Sequence, residues 1–360
     1  MKHRIICFTK YTRAGASSRY RIYQYLPVLE AAGLSLSIST LFDSDYLTYK
    51  YAHGHASIRY VLRAFARRLW AVLTVPREAV VVIEKELLPW FPAVLERWLA
   101  WRGCRMMVDY DDAIFHQYDA HRNPWVRRLL GRKIATVMRL SHTVVAGNAY
   151  LADYACRVGA SRVVVIATVV DLARYAVKDT ARISKVFTIG WIGSPSTARY
   201  LHAIAPALAQ VCQGDRARVR LVGSEPVELP GVPVDVIAWS EETEVDEIRG
   251  FDVGIMPLSD ELWEHGKCGF KLIQYMACCL PVVASPVGVN TTIVEHGFNG
   301  FLATSAEEWA QALCTLAADS ALRHRMGQAG RAKVDRGYSL QISAPRLTAL
   351  LQEVTDNKGG

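Results

Sequence analysis

The chain has 360 residues, 51% of them hydrophobic, with 42 Lys and Arg against 34 Asp and Glu. That length and apolar content suit two domains, each with its own core. Several classes drop out. The apolar run between Arg4 and Lys10 is too short for a signal peptide, and no run reaches the ~18–20 apolar residues that span a bilayer. The eight cysteines show neither CxxC nor His/Cys spacing suited to zinc, which reads as reduced thiols in a cytoplasmic protein. Charge is uneven. Residues 1–175 hold 25 Lys and Arg against 13 Asp and Glu, a surplus of 12 positive charges; the remainder holds 17 against 21. A basic half points to an anionic partner, a membrane surface before nucleic acid, since aromatic-and-basic RNA-binding signatures are missing.

Residues 4–9 read as a strand, followed by the small-residue loop 10–19 and a helix carrying Tyr20, Tyr23, Leu26 and Leu29 to about Gly33. Strand, loop and helix open a doubly wound α/β domain, and without GxGxxG a dinucleotide site is not expected there. Residues 34–39 alternate as a strand. Asp43-Ser44-Asp45 has the form of a metal-binding triplet, but surface loops are rich in Asp, and no metal site is assigned. Residues 57–74 are amphipathic: Ile58, Val61, Leu62, Phe65, Leu69 and Trp70 form one stripe, with Arg59, Arg63, Arg67 and Arg68 around it. Such a helix either turns its stripe into the core or docks on anionic lipid headgroups.

Residues 79–85 are an apolar strand and 88–96 a proline-opened helix, with Trp98 and Trp101 read as core or groove residues. The strand 105–110 delivers Asp109, Asp111 and Asp112 to its C-terminal end. Carboxylates crowded there are costly unless used or well hydrogen-bonded, and a helix N-cap explains one of them equally well. A basic helix over 124–140, a strand over 143–147, a helix over 149–158 capped by Asn148 and a strand over 163–167 complete this half.

The second half starts with a polar linker at 182–185. A strand over 186–192 runs into Gly193-Ser194-Pro195-Ser196-Thr197 and a helix to about Gln213. Glycine and hydroxyls at a helix start offer an anion cradle; an ordinary Ser N-cap before Pro reads equally well. Strands follow at 218–223 and 232–237, a short acidic helix at 241–248 and a buried strand at 251–256. In the stretch 264–302, Gly266 and Gly269 bracket Lys267 and a helix begins at Phe270. Leu272, Ile273, Met276, Ala277 and Leu280 share its apolar face, and Lys271, Gln274 and Tyr275 lie off it. A glycine-bracketed loop feeding a helix, with two lysines beside it, suits a diphosphate. A strand at 282–284, helices over 306–336 and 340–354, and a disordered tail from residue 356 end the chain.

Residues 264–302 resemble the nucleotide-sugar half of retaining glycosyltransferases of GT-B fold, specifically family 4. Gln274-Tyr275-Met276-Ala277 and Leu280-Pro281-Val282-Val283-Ala284 carry the resemblance. In that family two glutamates separated by seven residues frame the loop and helix; here Gly266 and Gln274 stand in their places. Gln274 retains hydrogen-bonding capacity toward a ribose hydroxyl without charge, and either Glu264 or Lys267 takes the sugar-contacting task that Gly266 cannot, or the donor sugar differs. The Asp-Tyr-Asp-Asp run places Asp111 and Asp112 where the family often has a His-Asp pair.

The resemblance implies an α/β chain of two doubly wound Rossmann-like domains facing a cleft: residues 1–175 for the acceptor, 176–340 for the nucleotide sugar, and 341–360 as a helix crossing back, with a tail. It implies sugar transfer from a nucleoside diphosphate donor with retention, with no metal and no cofactor beyond that co-substrate. The expected catalytic residues are Lys267, Asp111 and Asp112. The donor contacts are Gly193, Ser194, Ser196, Gly269, Phe270, Lys271 and Gln274, and the acceptor contacts Gly15, Ser17 and Arg19. The acceptor is a saccharide, lipid-linked, met on the inner face of the cytoplasmic membrane in cell-surface polysaccharide or lipopolysaccharide synthesis. A nucleotide-sugar epimerase on the same fold, or a non-catalytic partner subunit, remains open.

Overall fold

The computed structural model describes residues 4–53, 55–175 and 186–356. The chain divides into two compact units. One runs to Thr168, includes Gly266–Cys268 and resumes at Ser343; the other holds Val169–His265 and Gly269–Ile342. The expected linker at 182–185 and the tail at 357–360 lie outside the described residues.

The first unit alternates strands and helices: β1 (Arg4–Tyr11), α1 (Ala16–Arg21), α2 (Leu26–Ala31), β2 (Ser35–Phe42), α3 (Ser44–His53), α4 (Ile58–Leu73), β3 (Val80–Glu84), α5 (Val94–Trp101), β4 (Arg105–Tyr110), α6 (His116–Asp119), α7 (Pro124–Leu130), α8 (Lys133–Leu140), β5 (Thr143–Ala146), α9 (Ala149–Arg157) and β6 (Val163–Val165). All neighbours are parallel, in the order β2-β1-β3-β4-β5-β6. Central strands buried on both faces read as continuous apolar runs, as Val80–Glu84 does, with every residue buried.

Several expectations change here, among them the first helix, which is broken into α1, a 3-10 turn at Tyr23–Tyr25 and α2. The helix placed at 88–96 begins only at Val94. Pro89 and Pro92 disfavour helical geometry in the residues before them, and Trp90 takes a left-handed φ of 60°. The basic helix 124–140 breaks near Gly131 into α7 and α8. Of the core and groove readings for Trp101, its exposure removes the core one. On α4 the inward residues are Ala64, Arg68 and Val72, whereas Ile58, Leu62, Leu69 and Trp70 are exposed. The reason is Arg68. Its Nη2 donates to Thr9 O at 2.6 Å and Ser39 O at 3.1 Å, and its guanidinium lies 4.9 Å from the Phe8 ring centre. With Arg68 inward, held through Nη2 while its Nε is buried without a hydrogen-bond partner among the described residues, much of the apolar stripe faces outward.

The second unit contains β7 (Phe187–Ile192), α10 (Pro195–Ala198), a 3-10 segment (Arg199–Ile204), α11 (Ala205–Val211), β8 (Ala217–Val222), β9 (Val234–Ile237), α12 (Glu244–Arg249), β10 (Val253–Met256), α13 (Leu262–His265), α14 (Phe270–Ala277), β11 (Val282–Ala284), α15 (Asn290–Ile293), β12 (Gly300–Leu302), α16 (Ala306–Ala318) and α17 (Ser320–Gly337). Its parallel sheet runs β12-β11-β10-β7-β8-β9. The last helix, α18 (Leu340–Asp356), starts in this unit and ends in the first. Two corrections apply. The helix expected from Pro195 to Gln213 is three short pieces, with Pro206 opening α11. Gln274 and Tyr275, expected off the apolar face of α14, are buried with it, because α14 is sandwiched between β10 and α17. Close approach requires glycine on α17: a Cβ at Gly327 would meet the Cys279 carbonyl, and one at Gly330 would lie 2.8 Å from Met276 Cγ.

Candidate functional site

The second sheet reverses its winding between β7 and β10, with β8 and β9 on one side and β11 and β12 on the other. Ligands of open α/β sheets bind outside the C-terminal strand ends at such points. Here β7 gives way to Gly193 and Ser194. A Cβ on Gly193 would lie 2.6 Å from both Lys271 Nζ and Trp191 Cη2. Glycine therefore lets the Lys271 ammonium rest 4.0 Å from the Trp191 ring centre. Trp191 escaped the sequence reading because a buried strand tryptophan looks like core. At the end of β8, Gly223 has φ 85° and a Cβ there would sit 2.8 Å from Gly193 O.

The other expected donor residues fall as follows. Ser194 makes no side-chain cap; its hydroxyl pairs with that of Ser196 at 3.0 Å. With α10 only four residues long, the dipole expected at this cradle is that of one turn, not a long helix. Gly269 opens α14 in the left-handed region, φ 63°, and a Cβ there would lie 2.3 Å from Ile293 Cδ1. Phe270 and Lys271 form the first turn, half-buried. Gln274 is buried and its Nε2 donates to Tyr175 Oη at 2.8 Å. Glu264 is also buried: Tyr200 Oη donates to its Oε1, Arg199 lies 3.8 Å from the same oxygen, and Oε2 is buried with no hydrogen-bond partner among the described residues. Burial, then the Glu264 hydrogen bond, pushes the Tyr200 phenol up to about 12.

The first sheet reverses between β1 and β3, and a second cluster sits there. Ser17 Oγ donates to Asp111 Oδ2 at 2.6 Å. Lys85 Nζ is 2.7 Å from Asp111 Oδ1 and 3.0 Å from Asp112 Oδ2. Ser17, Asp111 and Asp112 are thus brought together around a lysine that sequence reading left inside a strand. Burial alone would raise the Asp111 carboxyl, but Lys85 and Ser17 outweigh it and hold it below the usual range. Beneath them Glu84 accepts from Ser18 Oγ at 2.6 Å and Lys10 N at 2.9 Å. Gly15 is the residue before α1, where a Cβ would meet Tyr11 Cβ at 2.5 Å. Arg19 departs from expectation: its guanidinium is buried, 4.7 Å from the Tyr20 ring centre, and donates to Arg13 O at 3.2 Å.

Lys267 belongs to the segment grouped with this first unit. Asn148 caps α9 through Leu151 N, and its Nδ2 also donates to Gly266 O at 3.1 Å and Lys267 O at 2.9 Å. The Cys268 thiol donates to Asp111 O at 3.2 Å. Two glycines make room: a Cβ on Gly147 would lie 2.3 Å from Cys268 Sγ, and one on Gly266 2.3 Å from Ala113 Cβ. Asn148, predicted only as a cap, also anchors the lysine's backbone; a single residue's type carries no signal for that second role.

Two doubly wound parallel six-stranded α/β units are the GT-B glycosyltransferase fold. Residues 185–319 match the sequence family described as Glycosyl transferases group 1. No curated protein matches the chain. Among solved structures, HepE of Anabaena in complex with UDP and glucose superposes with a TM-score of 0.73 at 17% identity, covering 98% of this chain and 99% of that one. Sucrose-phosphate synthase from Thermosynechococcus elongatus gives 0.70 at 16% identity, covering 98% and 99%. WaaG, a glycosyltransferase involved in lipopolysaccharide biosynthesis, gives 0.69 at 14% identity, covering 99% and 100%.

Proposed function

We propose that the chain is a retaining family 4 glycosyltransferase, moving a sugar from a uridine diphosphate donor to a saccharide hydroxyl without a metal ion. The observation that carries this reading is the ammonium of Lys271, seated on Trp191 beside Gly193 at the winding reversal of the second sheet. The match over residues 185–319 supports it, as does the likeness to HepE, which has been solved with UDP-glucose. In this reading the sugar–phosphate bond breaks, the diphosphate leaves with the electron pair, the acceptor oxygen bonds the anomeric carbon on the face the diphosphate left, and the hydroxyl proton passes to an oxygen of the departing phosphate. Lys271 at the start of α14 stabilises the departing charge, and Lys267 is the residue read as catalytic. The unpartnered Glu264 oxygen accepts from a donor-sugar hydroxyl, in place of the glutamate missing at Gly266. Retention is carried over from the resemblance of residues 264–302.

The test is calorimetric titration with UDP-, GDP- and ADP-glucose, followed by NMR of the product anomer. Lys267→Ala is expected to lower turnover at least ~100-fold, as loss of one charge stabiliser does. Near-normal turnover would remove Lys267 from the mechanism. UDP-sugar binding without turnover on any acceptor would favour the partner-subunit reading, which the engagement of Gln274 with Tyr175 makes specific.

We further infer that the acceptor is lipid-linked, serves cell-surface polysaccharide assembly, and is met at an anionic membrane surface from the cytoplasmic side. No helix among the described residues is long and apolar enough to cross a membrane. The crossovers β2 to β3, β3 to β4 and β4 to β5 all step the same way across the sheet, and right-handed connections then put α4, α5 and α8 on one face. This layer exposes Leu62 and Trp70 on α4, Trp90 before α5, Trp101 at its end and Trp125 on α7. Arg59 and Arg63 on α4 and Arg128 on α7 are exposed among them. Exposed tryptophans among arginines suit the headgroup region of a bilayer.

A further inference from the structure

Lys85 is an unusual residue for its place. It follows β3 with φ 64°, a left-handed conformation that costs a non-glycine residue ~1–2 kcal/mol. Its N–H donates to Asp109 O at 2.9 Å, which ties that conformation to β4. The side chain is 8% exposed, and its ammonium touches Asp111, 12% exposed, and Asp112, 30% exposed. Both Asp111 oxygens are engaged, one by Lys85 and one by Ser17. Asp112 has Oδ2 on Lys85, and no hydrogen bond from the described residues reaches its Oδ1. Strained backbone persists where surrounding structure enforces it, commonly at functional sites. Here the strain aims a buried cation at two carboxylates where the sheet reverses its winding, outside the C-terminal strand ends.

We propose that Lys85 is a positioning residue of the acceptor site, bridging Asp111 and Asp112 so that Asp112 presents one fixed carboxylate oxygen to a hydroxyl of an uncharged saccharide. This rests on the reading of the first unit as the acceptor half. Charge decides the class of guest. Lys85 and Lys10 supply two positive charges, and Glu84, Asp111 and Asp112 three negative ones, so an anionic group arriving beside Asp112 Oδ1 would be repelled while a hydroxyl would be held. Around Asp111 the charged and titratable groups are Lys85, Arg21, Glu84, Asp109, Asp112 and the Cys268 thiol.

The test uses octyl glucoside, below its micelle concentration, as the acceptor probe, and UDP as the donor probe, on the full chain. Wild type is expected to bind the glucoside. Lys85→Met and Asp112→Asn should each weaken that binding about tenfold, the worth of a hydrogen bond to a charged group, and the double variant should lose no more than either. Lys85→Arg should restore most of it. Lys85→Gly, which relaxes the left-handed backbone, covers the case in which the Met variant does not fold and should bind as weakly. Additive losses, failure of Lys85→Arg to restore binding, or wild type that ignores the glucoside would each overturn the proposal. UDP affinity should be unchanged in every variant. If wild type fails to bind UDP, the donor reading falls, and the glucoside results still judge Lys85 alone.

Discussion

Replacing Gly193 with alanine probes the second-unit site by adding a single methyl. That methyl would lie 2.6 Å from Lys271 Nζ and 2.6 and 2.7 Å from Trp191 Cη2 and Cζ2, roughly 1 Å inside ordinary contact distance. Trp191 has no room to yield: it is fully buried in a cluster with Ile189, Leu201, Leu221 and Ile255, and such interiors are close-packed. The lysine tip can move, so the ammonium leaves its seat. Overpacking of this kind costs ~1–3 kcal/mol of stability. A displaced charge–phosphate contact costs a further ~1.5–3 kcal/mol of donor binding, which is about 10- to 150-fold in Kd. Calorimetry with UDP gives the second number directly. The decisive comparison is a cycle with Lys271→Ala. If the methyl acts by unseating Lys271, Gly193→Ala should weaken UDP binding strongly in wild type and hardly at all without the lysine. Equal weakening in both backgrounds would mean that Gly193 matters for some reason other than the ammonium beside it.

The buried Arg21–Asp109 pair, joined at 2.8 and 2.5 Å, gives a stability prediction: Arg21→Met should cost ~3–5 kcal/mol in denaturant unfolding, because it strands a buried carboxylate. Burial already pushes the Asp109 carboxyl up with Arg21 beside it. Without the arginine its folded pKa rises further above the unfolded value, so the loss should be smaller near about pH 5 than near about pH 8; a pH-independent loss would contradict this. On the outer helical layer, Arg59→Glu with Arg63→Glu should reduce sedimentation with phosphatidylglycerol-containing vesicles at least about tenfold, at ~1 kcal/mol per basic residue near the surface. Equal binding of wild type to neutral and anionic vesicles would count against the membrane reading.

Strand positions were legible because each central strand is a short apolar run bounded by turn residues, and Val80–Glu84 and Val282–Ala284 sit within about two residues of expectation. Helix continuity was less legible. Tyr20 through Leu29 and Pro195 through Gln213 keep helical spacing while Pro27 and Pro206 break the backbone, and periodicity in side chains does not report a local break. Facing was least legible on α4, where an arginine bound to two carbonyls through Nη2 takes the inward position. At the site, Ser17, Asp111 and Asp112 were found because polar groups at strand ends are conspicuous. Lys85 and Trp191 were missed because each lies where a strand pattern predicts core, and neither a left-handed φ nor a lysine eighty residues away is written in composition.

The two units differ in how they use charge, and the difference bears on where chemistry occurs. The first unit buries Glu84, Lys85, Glu86, Asp109, Lys133 and Arg21 around the ends of β3 and β4, with Lys133 bonded to Glu86 and to Leu88 O. Packed apolar residues in these places would be as stable or more so. Stability is therefore a weak explanation for Lys85, whereas holding Asp111 and Asp112 in place accounts for it. In the second unit the reversal point is almost bare of buried charge: glycines at 193, 223 and 269 clear space, Lys271 rests on an aromatic face, and Glu264 is left with one unsatisfied oxygen. Open backbone beside a cation suits a diphosphate that must leave, and ordered carboxylates suit an alcohol that must arrive; that pair of preferences argues for transfer over isomerisation of a single nucleotide sugar.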